Sequence, residues 1–337
     1  MTTRDKGSGR TPLIAVVIPC YRVADHILEV IAGIQGHVSG IYVIDDKCPD
    51  GSGKLVEEKT NDSRVRVIYH DANKGVGGAT MTGVAQALED GADVIVKIDG
   101  DGQMDPRLIP AFVGPILSGQ ADCTKGNRFF DIDSVRTMPP VRLIGNAALS
   151  FMAKLSTGYW HIFDPNNGYL AIHAKVAAKL PWDKIADNYF FETDLLFRLN
   201  TIRAVVAEVP MDAVYGTEQS NLRVGRESLR FAVGHARNFV KRLFYNYYLR
   251  NFSVASLEII VAFAGLTFGI TYGMTKWYEA VSTGSVTPAG TVMLAALPVL
   301  IGVQSLLAFI NYDIISVPDI PLHTRLVDWS GDLSALK

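Results

Sequence analysis

Cysteine is scarce. Cys20, Cys48 and Cys123 are the only three in 337 residues, odd in number and widely spaced. They fit neither a disulfide framework nor a metal-ligand pattern, and they place the polar part of the chain in a reducing compartment. The stretch from Met1 to Thr11 has no apolar core, so no cleavable signal peptide is read there, only a disordered lead-in. The net charge of −2 supplies no basic field, which argues against nucleic acid as a partner. No Gly-Lys-Ser/Thr follows the glycine-rich stretch, so there is no P-loop. Gly75, Gly77 and Gly78 do not fit the dinucleotide fingerprint Gly-x-Gly-x-x-Gly. No internal repeat and no low-complexity tract is visible.

Apolar residues, in contrast, are plentiful at 48%, more than a purely soluble enzyme needs. Two runs, Val254 to Thr275 and Thr291 to Ile310, are each about 20 residues long, enough to cross the hydrocarbon as helices. Trp277 and Tyr278 sit where an interfacial aromatic belt is expected. Before the first run, Arg226 to Asn251 mixes Arg226, Arg230, Arg237, Lys241, Arg242 and Arg250 with Phe231, Phe239, Phe244, Tyr245, Tyr247 and Tyr248. A basic, aromatic, amphipathic helix of this kind suits a membrane surface. Its cations put that side in the cytoplasm, and the tail from Asn311 returns to the same side.

The first two thirds read as alternating strands and helices. Leu13 to Ile18, Ile41 to Ile44, Val65 to Tyr69 and Val94 to Ile98 are short β-branched runs, each ending in polar or turn residues. Helical spacing lies between them, and further strands are read at Asp122 to Asn127 and Ala204 to Val209. This pattern describes an open α/β sheet, mostly parallel, whose ligands bind at the carboxyl ends of the strands.

The sharpest local signal is Asp99-Gly100-Asp101-Gly102-Gln103. Two carboxylates one residue apart close on one hard cation, and Gln103 adds a neutral oxygen. So few protein ligands leave positions for phosphate oxygens. An ordinary Asp-Gly turn is the plain alternative. Asp45-Asp46 can accept from a base or ribose, or cap a turn. Tyr21, in Pro19-Cys20-Tyr21-Arg22, can stack on a base. Asn73 to Gly78 has the character of a phosphate nest with Lys74 as its cation. Arg128, Arg136 and Arg142 are suited to a phosphate, with Arg142 and Asn146 one turn apart on a helix face. Glu192 and Asp194 are either a base with its orienting partner or favourable charges at a helix start.

Taken together, these segments resemble the family 2 glycosyltransferases of GT-A fold, and more narrowly the polyprenyl-phosphate glycosyltransferases related to dolichyl-phosphate mannose synthase. Pro19 to Arg22 is similar to the family's Pro-x-Tyr-Asn. Ile44-Asp45-Asp46 with Asp50-Gly51-Ser52 is similar to Val-Asp-Asp-Gly-Ser, with Lys47-Cys48-Pro49 departing from it. Asn73-Lys74-Gly75 resembles Asn-x-Gly, Gly126 to Phe129 resembles Gly-Ser-Arg-Tyr, and Asp164 to Tyr169 resembles Asp-x-x-x-Gly-Tyr. The family's Arg-x-x-Gly-x-Ser-Lys is replaced by Tyr215 to Arg223, which leaves Arg223 as the candidate diphosphate cation. Gln-x-x-Arg-Trp of processive synthases is absent, which favours transfer of a single sugar.

The resemblance implies a GT-A (Rossmann-like) domain over 13–225, after a lead-in at 1–12. An amphipathic juxtamembrane helix over 226–251, a transmembrane hairpin over 252–311 and a cytoplasmic tail over 312–337 follow. It implies an inverting, metal-dependent transfer from a nucleotide-diphosphate sugar to a polyprenyl phosphate at the cytoplasmic face of the inner membrane. Pro19, Tyr21, Asp46, Asn73, Lys74, Gly78, Asp99 and Arg223 would bind the donor. Asp99, Asp101 and Gln103 would hold Mg²⁺ or Mn²⁺, and Arg128, Arg142 and Asn146 the acceptor phosphate. Asp99, Asp101 and Arg128 are the expected catalytic residues. A glycan or protein acceptor, or a non-catalytic nucleotide-binding membrane scaffold, are the alternatives. The sugar, the base and any homo-oligomer stay open.

Overall fold

The apolar β-branched runs become the buried centre of a seven-stranded sheet. The computed structural model describes residues 10–130, 140–212 and 224–326. Strands β1 (Ile14–Cys20), β2 (Gly40–Asp45), β3 (Val65–Tyr69), β4 (Val94–Lys97), β5 (Cys123–Asn127), β6 (Leu170–His173) and β7 (Val206–Pro210) lie in the order β3-β2-β1-β4-β6-β5-β7. All seven residues of β1 are buried, as expected of a strand covered on both faces. The pairings β1–β2, β1–β4, β2–β3 and β5–β7 are parallel, and β6 alone runs antiparallel between β4 and β5.

β6 is the element the sequence did not announce. It has four residues, follows a turn-rich loop and leads straight into the short helix Ala174–Ala177. Its reversed direction brings the preceding loop, Asp164 to Tyr169, to the edge where β4 and β5 end. The chain order turns back between β1 and β4, so the crevice at the carboxyl edge opens there.

The described residues fall into two compact units. One runs as far as Asn238 and resumes at Pro318, and the other is Phe239–Val317. The first part of helix Val224–Phe244 belongs to the sheet unit, where Asn238 donates to Asp194 Oδ1 at 2.9 Å. The tail joins the same unit through Asp122. This fully buried carboxylate accepts from the backbone N–H of Val205 (2.7 Å), Leu322 (2.6 Å) and His323 (2.7 Å), and pairs with His323 Nδ1 at 2.7 Å. The His323 ring stacks on His173. Burial opposes ionisation of Asp122, but these hydrogen bonds outweigh it and hold the carboxyl below its ordinary range.

The second unit is a helical hairpin. Helix Val254–Thr283 starts at a capping box formed by Ser253 and Ser256 and ends on Gly284 in the left-handed region. Helix Ala289–Ile315 returns. Both helices are long and apolar enough to cross a membrane, and both outrun the expected spans. Their backbones approach closely at glycine. A Cβ on Gly265 would lie 2.6 Å from the Pro298 carbonyl oxygen, and one on Gly269 would lie 2.7 Å from that of Ala295. A π-helical turn, Tyr245–Arg250, precedes the hairpin. Within this unit Arg242 and Asp313, both buried, form a two-pronged ion pair at 2.6 and 2.9 Å, and the Tyr247 hydroxyl also donates to Asp313.

Replacing Asp122 by Ala strips three partly buried N–H groups of their acceptor. The expected outcome is a stability loss of about 3 kcal/mol or more, read by thermal unfolding of the detergent-solubilised protein, together with new protease cleavage in the tail after Val317.

Candidate active site

The strand ends carry the sequence-predicted residues to one edge of the sheet. At the end of β1, Tyr21 is exposed and Arg22 lies over its ring, 5.4 Å from the centroid. At the end of β2 the two aspartates are buried and turned inward. Asp45 accepts from the N–H of Cys48 (2.7 Å) and Gly53 (2.9 Å), which shapes the loop behind it. Asp46 accepts from the N–H of Lys74 and Gly75, both at 2.8 Å, and meets His70 Nδ1 at 2.7 Å. His70 in turn reaches Thr82 Oγ1 at 2.9 Å. Asp46 is therefore tied to the Asn73-Lys74-Gly75 turn, whose Asn73 amide donates to the Asp46 carbonyl. His70 has no motif around it, and nothing in its neighbourhood pointed to a role.

The glycines of that turn do not form the open nest expected of them. Gly77 and Gly78 both direct their N–H to the Asp187 carbonyl, at 2.9 and 3.3 Å. A Cβ on Gly75 would lie 2.5 Å from that same oxygen, and one on Gly77 would lie 2.6 Å from the carbonyl oxygen of Ala186. These glycines admit the backbone of the loop before helix Phe191–Thr201, and their donors are satisfied from within the protein. The Lys74 side chain, on the other hand, is exposed at this edge.

At the end of β4 the chain turns through Gly102, at φ 75°, and Asp101 Oδ1 accepts from the Gln103 N–H at 3.0 Å. Asp99 is engaged from below. Lys97, fully buried, places its ammonium 2.7 Å from Asp99 Oδ1 and 3.3 Å from Glu192 Oε1. Burial alone would lower the lysine's pKa, but the Asp99 and Glu192 carboxylates outweigh it and hold it above its ordinary value. The backbone of Gly168 closes over this pair. A Cβ there would lie 2.5 Å from both Asp99 Oδ2 and Lys97 Nζ.

At the end of β5 a second lysine is fully buried. Lys125 donates to the Asn167 carbonyl and so ties down the loop that carries Gly168. Its pKa is pushed down to about 8 by burial, with Glu192 and Asp164 opposing the shift. Arg128 follows the strand. Asp164, buried, accepts from Arg128 Nε at 2.8 Å and Nη2 at 3.0 Å, which fixes the plane of the guanidinium. Asn127 Nδ2 donates to Glu208 Oε2, and Glu208 Oε1 accepts from the N–H of Phe163 and Asp164. Arg142 and Asn146 lie on helix Pro140–Thr157, but their side chains are outside the described residues, as is Arg223 altogether. Asp194 is buried and structural in its contacts, accepting from the Ala186 N–H and from Asn238.

Lys97 and Lys125 show what the sequence reading passed over. A lysine inside a run such as Val94-Ile95-Val96-Lys97-Ile98 must be buried with its charge, and a buried charge needs carboxylates nearby. That signal was legible, although its partner Glu192 was not.

The mostly parallel sheet with its crevice at the carboxyl edge is a GT-A fold. The glucosyl-3-phosphoglycerate synthase of Mycobacterium tuberculosis, solved with UDP, has the same fold at a TM-score of 0.53 and 20% identity, over 68% of this chain and 80% of that one. The description "Glycosyl transferase family 2" matches residues 15–180. The UDP-N-acetylglucosamine–dolichyl-phosphate N-acetylglucosaminyltransferase of Methanococcus voltae is 31% identical over 63% of this chain and 89% of that protein. The polyprenol monophosphomannose synthase of Mycolicibacterium smegmatis is 29% identical over 62% and 82%. The chain belongs to glycosyl transferase family 2 and is a glycosyltransferase.

Gly168→Ala forces the Lys97–Asp99 pair apart and is expected to lower stability by about 2 kcal/mol, whereas Gly36→Ala, with nothing within 4 Å of its Cβ, leaves thermal unfolding unchanged. Lys125 makes a pH-dependent contribution. The unfolded chain holds this proton up to about 10.5 and the fold releases it near 8, so between these values the unfolded state binds more protons and stability rises with pH. Guanidinium unfolding at a series of pH values checks this, because Lys125→Met lacks that slope and its advantage over wild type narrows from pH 8 upward.

Proposed function

We propose that the chain transfers one sugar from a nucleotide-diphosphate sugar to a polyprenyl phosphate, with inversion, at the cytoplasmic face of the membrane. The observation that carries this reading is the pairing of two stations on one sheet edge. Oxygen donors lie at the end of β4, and a guanidinium held by Asp164 lies at the end of β5.

The donor half begins at Tyr21, which offers a ring face to the base. Asp46 acts by holding Asn73 to Gly75 in place, which sets Lys74 at the rim toward the diphosphate. The Asp99, Asp101 and Gln103 oxygens suit a hard divalent cation, Mg²⁺ or Mn²⁺, because all three are oxygen donors and the Gly102 turn fixes the Asp101 carboxylate. When bound, such a cation would neutralise charge on the departing nucleoside diphosphate. A structure of the Mycobacterium tuberculosis synthase, at a TM-score of 0.52 and 21% identity, holds Mn²⁺ with UDP-glucose, in keeping with this choice of metal.

The acceptor half is Arg128, with Arg142 and Asn146 on helix Pro140–Thr157, while Arg223 stays the candidate diphosphate cation of the donor half. A phosphate monoester is largely ionised near neutral pH, its second pKa being about 6. Its oxygen therefore attacks the anomeric carbon without a strong base, the carbon–oxygen bond to the diphosphate breaks, and the nucleoside diphosphate leaves with the electron pair. What the chain supplies is proximity and fixed charge. The names of the M. voltae and M. smegmatis relatives support a lipid-phosphate acceptor. The two apolar helices support placement in the inner membrane as a two-span protein, since a long prenyl chain stays in the bilayer. The Lys and Arg residues between Arg226 and Arg250, ahead of the first apolar helix, support a cytoplasmic side for that end.

Two variants separate the halves. Arg128→Ala should lower kcat/KM for polyprenyl phosphate at least 100-fold while leaving nucleotide affinity, by titration calorimetry, within two-fold. Asp101→Ala should abolish transfer with an unchanged melting curve. Loss of nucleotide binding in the arginine variant would exchange the two sites, and normal turnover in the aspartate variant would remove the cation from the account.

A further inference from the structure

Lys97 is fully buried and serves two carboxylates, one in the donor loop and one outside it. Glu192 opens helix Phe191–Thr201, far along the chain from β4, and is itself buried. Its carboxylate lies 3.3 Å from Lys97 Nζ and also acts on the buried Lys125. The arrangement has a consequence for Asp99. A buried ammonium with Asp99 as sole partner would spend its whole charge on that carboxylate and leave little attraction for a cation. With Glu192 on its other side, the ammonium is shared.

We infer that Glu192 is a positioning residue for the donor-metal site: it draws on the charge of Lys97, so that Asp99 stays anchored through Oδ1 yet keeps negative charge for a divalent cation. This rests on the metal reading of Asp99 and Asp101 given above. Glu192 touches neither substrate nor cation in this scheme, and it acts only through Lys97. The contacts divide the labour accordingly. The lysine reaches Asp99 at 2.7 Å, the shorter of its two ion pairs, while Glu192 at 3.3 Å takes the weaker share. Gly168 leaves no room for the pair to swing toward the loop. Sharing through one buried cation also makes a specific demand. The effect of Glu192 must vanish when Lys97 is absent, which a general electrostatic or structural role would not require.

The test is Mn²⁺ alone, titrated into the detergent-solubilised full-length protein and followed by the electron paramagnetic resonance signal of free Mn²⁺, with melting curves recorded for every variant. Glu192→Gln should weaken Mn²⁺ binding at least five-fold. In the Lys97→Met background, where no ammonium is left to share, adding Glu192→Gln should change the affinity by less than two-fold. A five-fold loss on adding Glu192→Gln to Lys97→Met, or a single Glu192→Gln variant that binds like wild type, overturns the inference. If Glu192→Gln alone fails to fold, the two Lys97→Met variants decide by themselves, since a difference of more than two-fold between them sinks the scheme. Asp101→Ala guards the reading beneath it. Should that variant bind Mn²⁺ as wild type does, the metal site itself is misassigned, and the failure belongs there.

Discussion

A sheet covered on both faces can offer chemistry only at its edges, and this constraint arranges the whole catalytic unit. β1, β2 and β4 are buried throughout or nearly so, and their polar residues are all displaced to the carboxyl ends. The reversal of chain order between β1 and β4 opens the crevice there. The antiparallel β6 then delivers a loop to the same edge from the opposite direction, and that loop holds Arg128 through Asp164 and closes over Asp99 with Gly168.

Beneath the edge lies a cost. Two lysines are buried under the crevice, and each is tolerated only because an acceptor meets it. Lys97 has Asp99 and Glu192, and Lys125 has the Asn167 carbonyl. These contacts link three separate chain segments, the β4 loop, the Asp164 loop and helix Phe191–Thr201, into one polar layer. A site built this way is preorganised, because moving any one carboxylate strands a buried cation. The same logic recurs in the hairpin unit, where buried Arg242 is matched by Asp313 and Tyr247.

Much of this was legible in advance. β-branched runs ending in Asp45-Asp46 and Asp99-Gly-Asp101 gave the strands and the edge, because period and turn chemistry are local properties. β3 falls where the pattern put it. What escaped depends on distance along the chain. β6 is too short to show a period. The Asp46–His70 pair and the sharing of Lys97 need the fold before they exist. The glycines at 75 and 77 carried a genuine signal of close backbone approach, but the partner is the loop at Ala186 and Asp187, not a phosphate. Asp122 looked like the first residue of a strand, whereas it clamps a tail 200 residues away. The first apolar helix outran its expected span where Lys276 and Glu279 pair along it and let it continue past the apolar run.

The central claim is that a lipid phosphate receives the sugar. Detergent-solubilised protein, incubated with Mn²⁺, undecaprenyl phosphate and a panel of radiolabelled nucleotide sugars, should move label from one donor into a chloroform-soluble product that mild acid releases as free monosaccharide. The account predicts that this product requires both the lipid phosphate and the cation, and disappears with EDTA. Label that stays water-soluble with every donor, or a lipid product formed equally well without the phosphate, would contradict it.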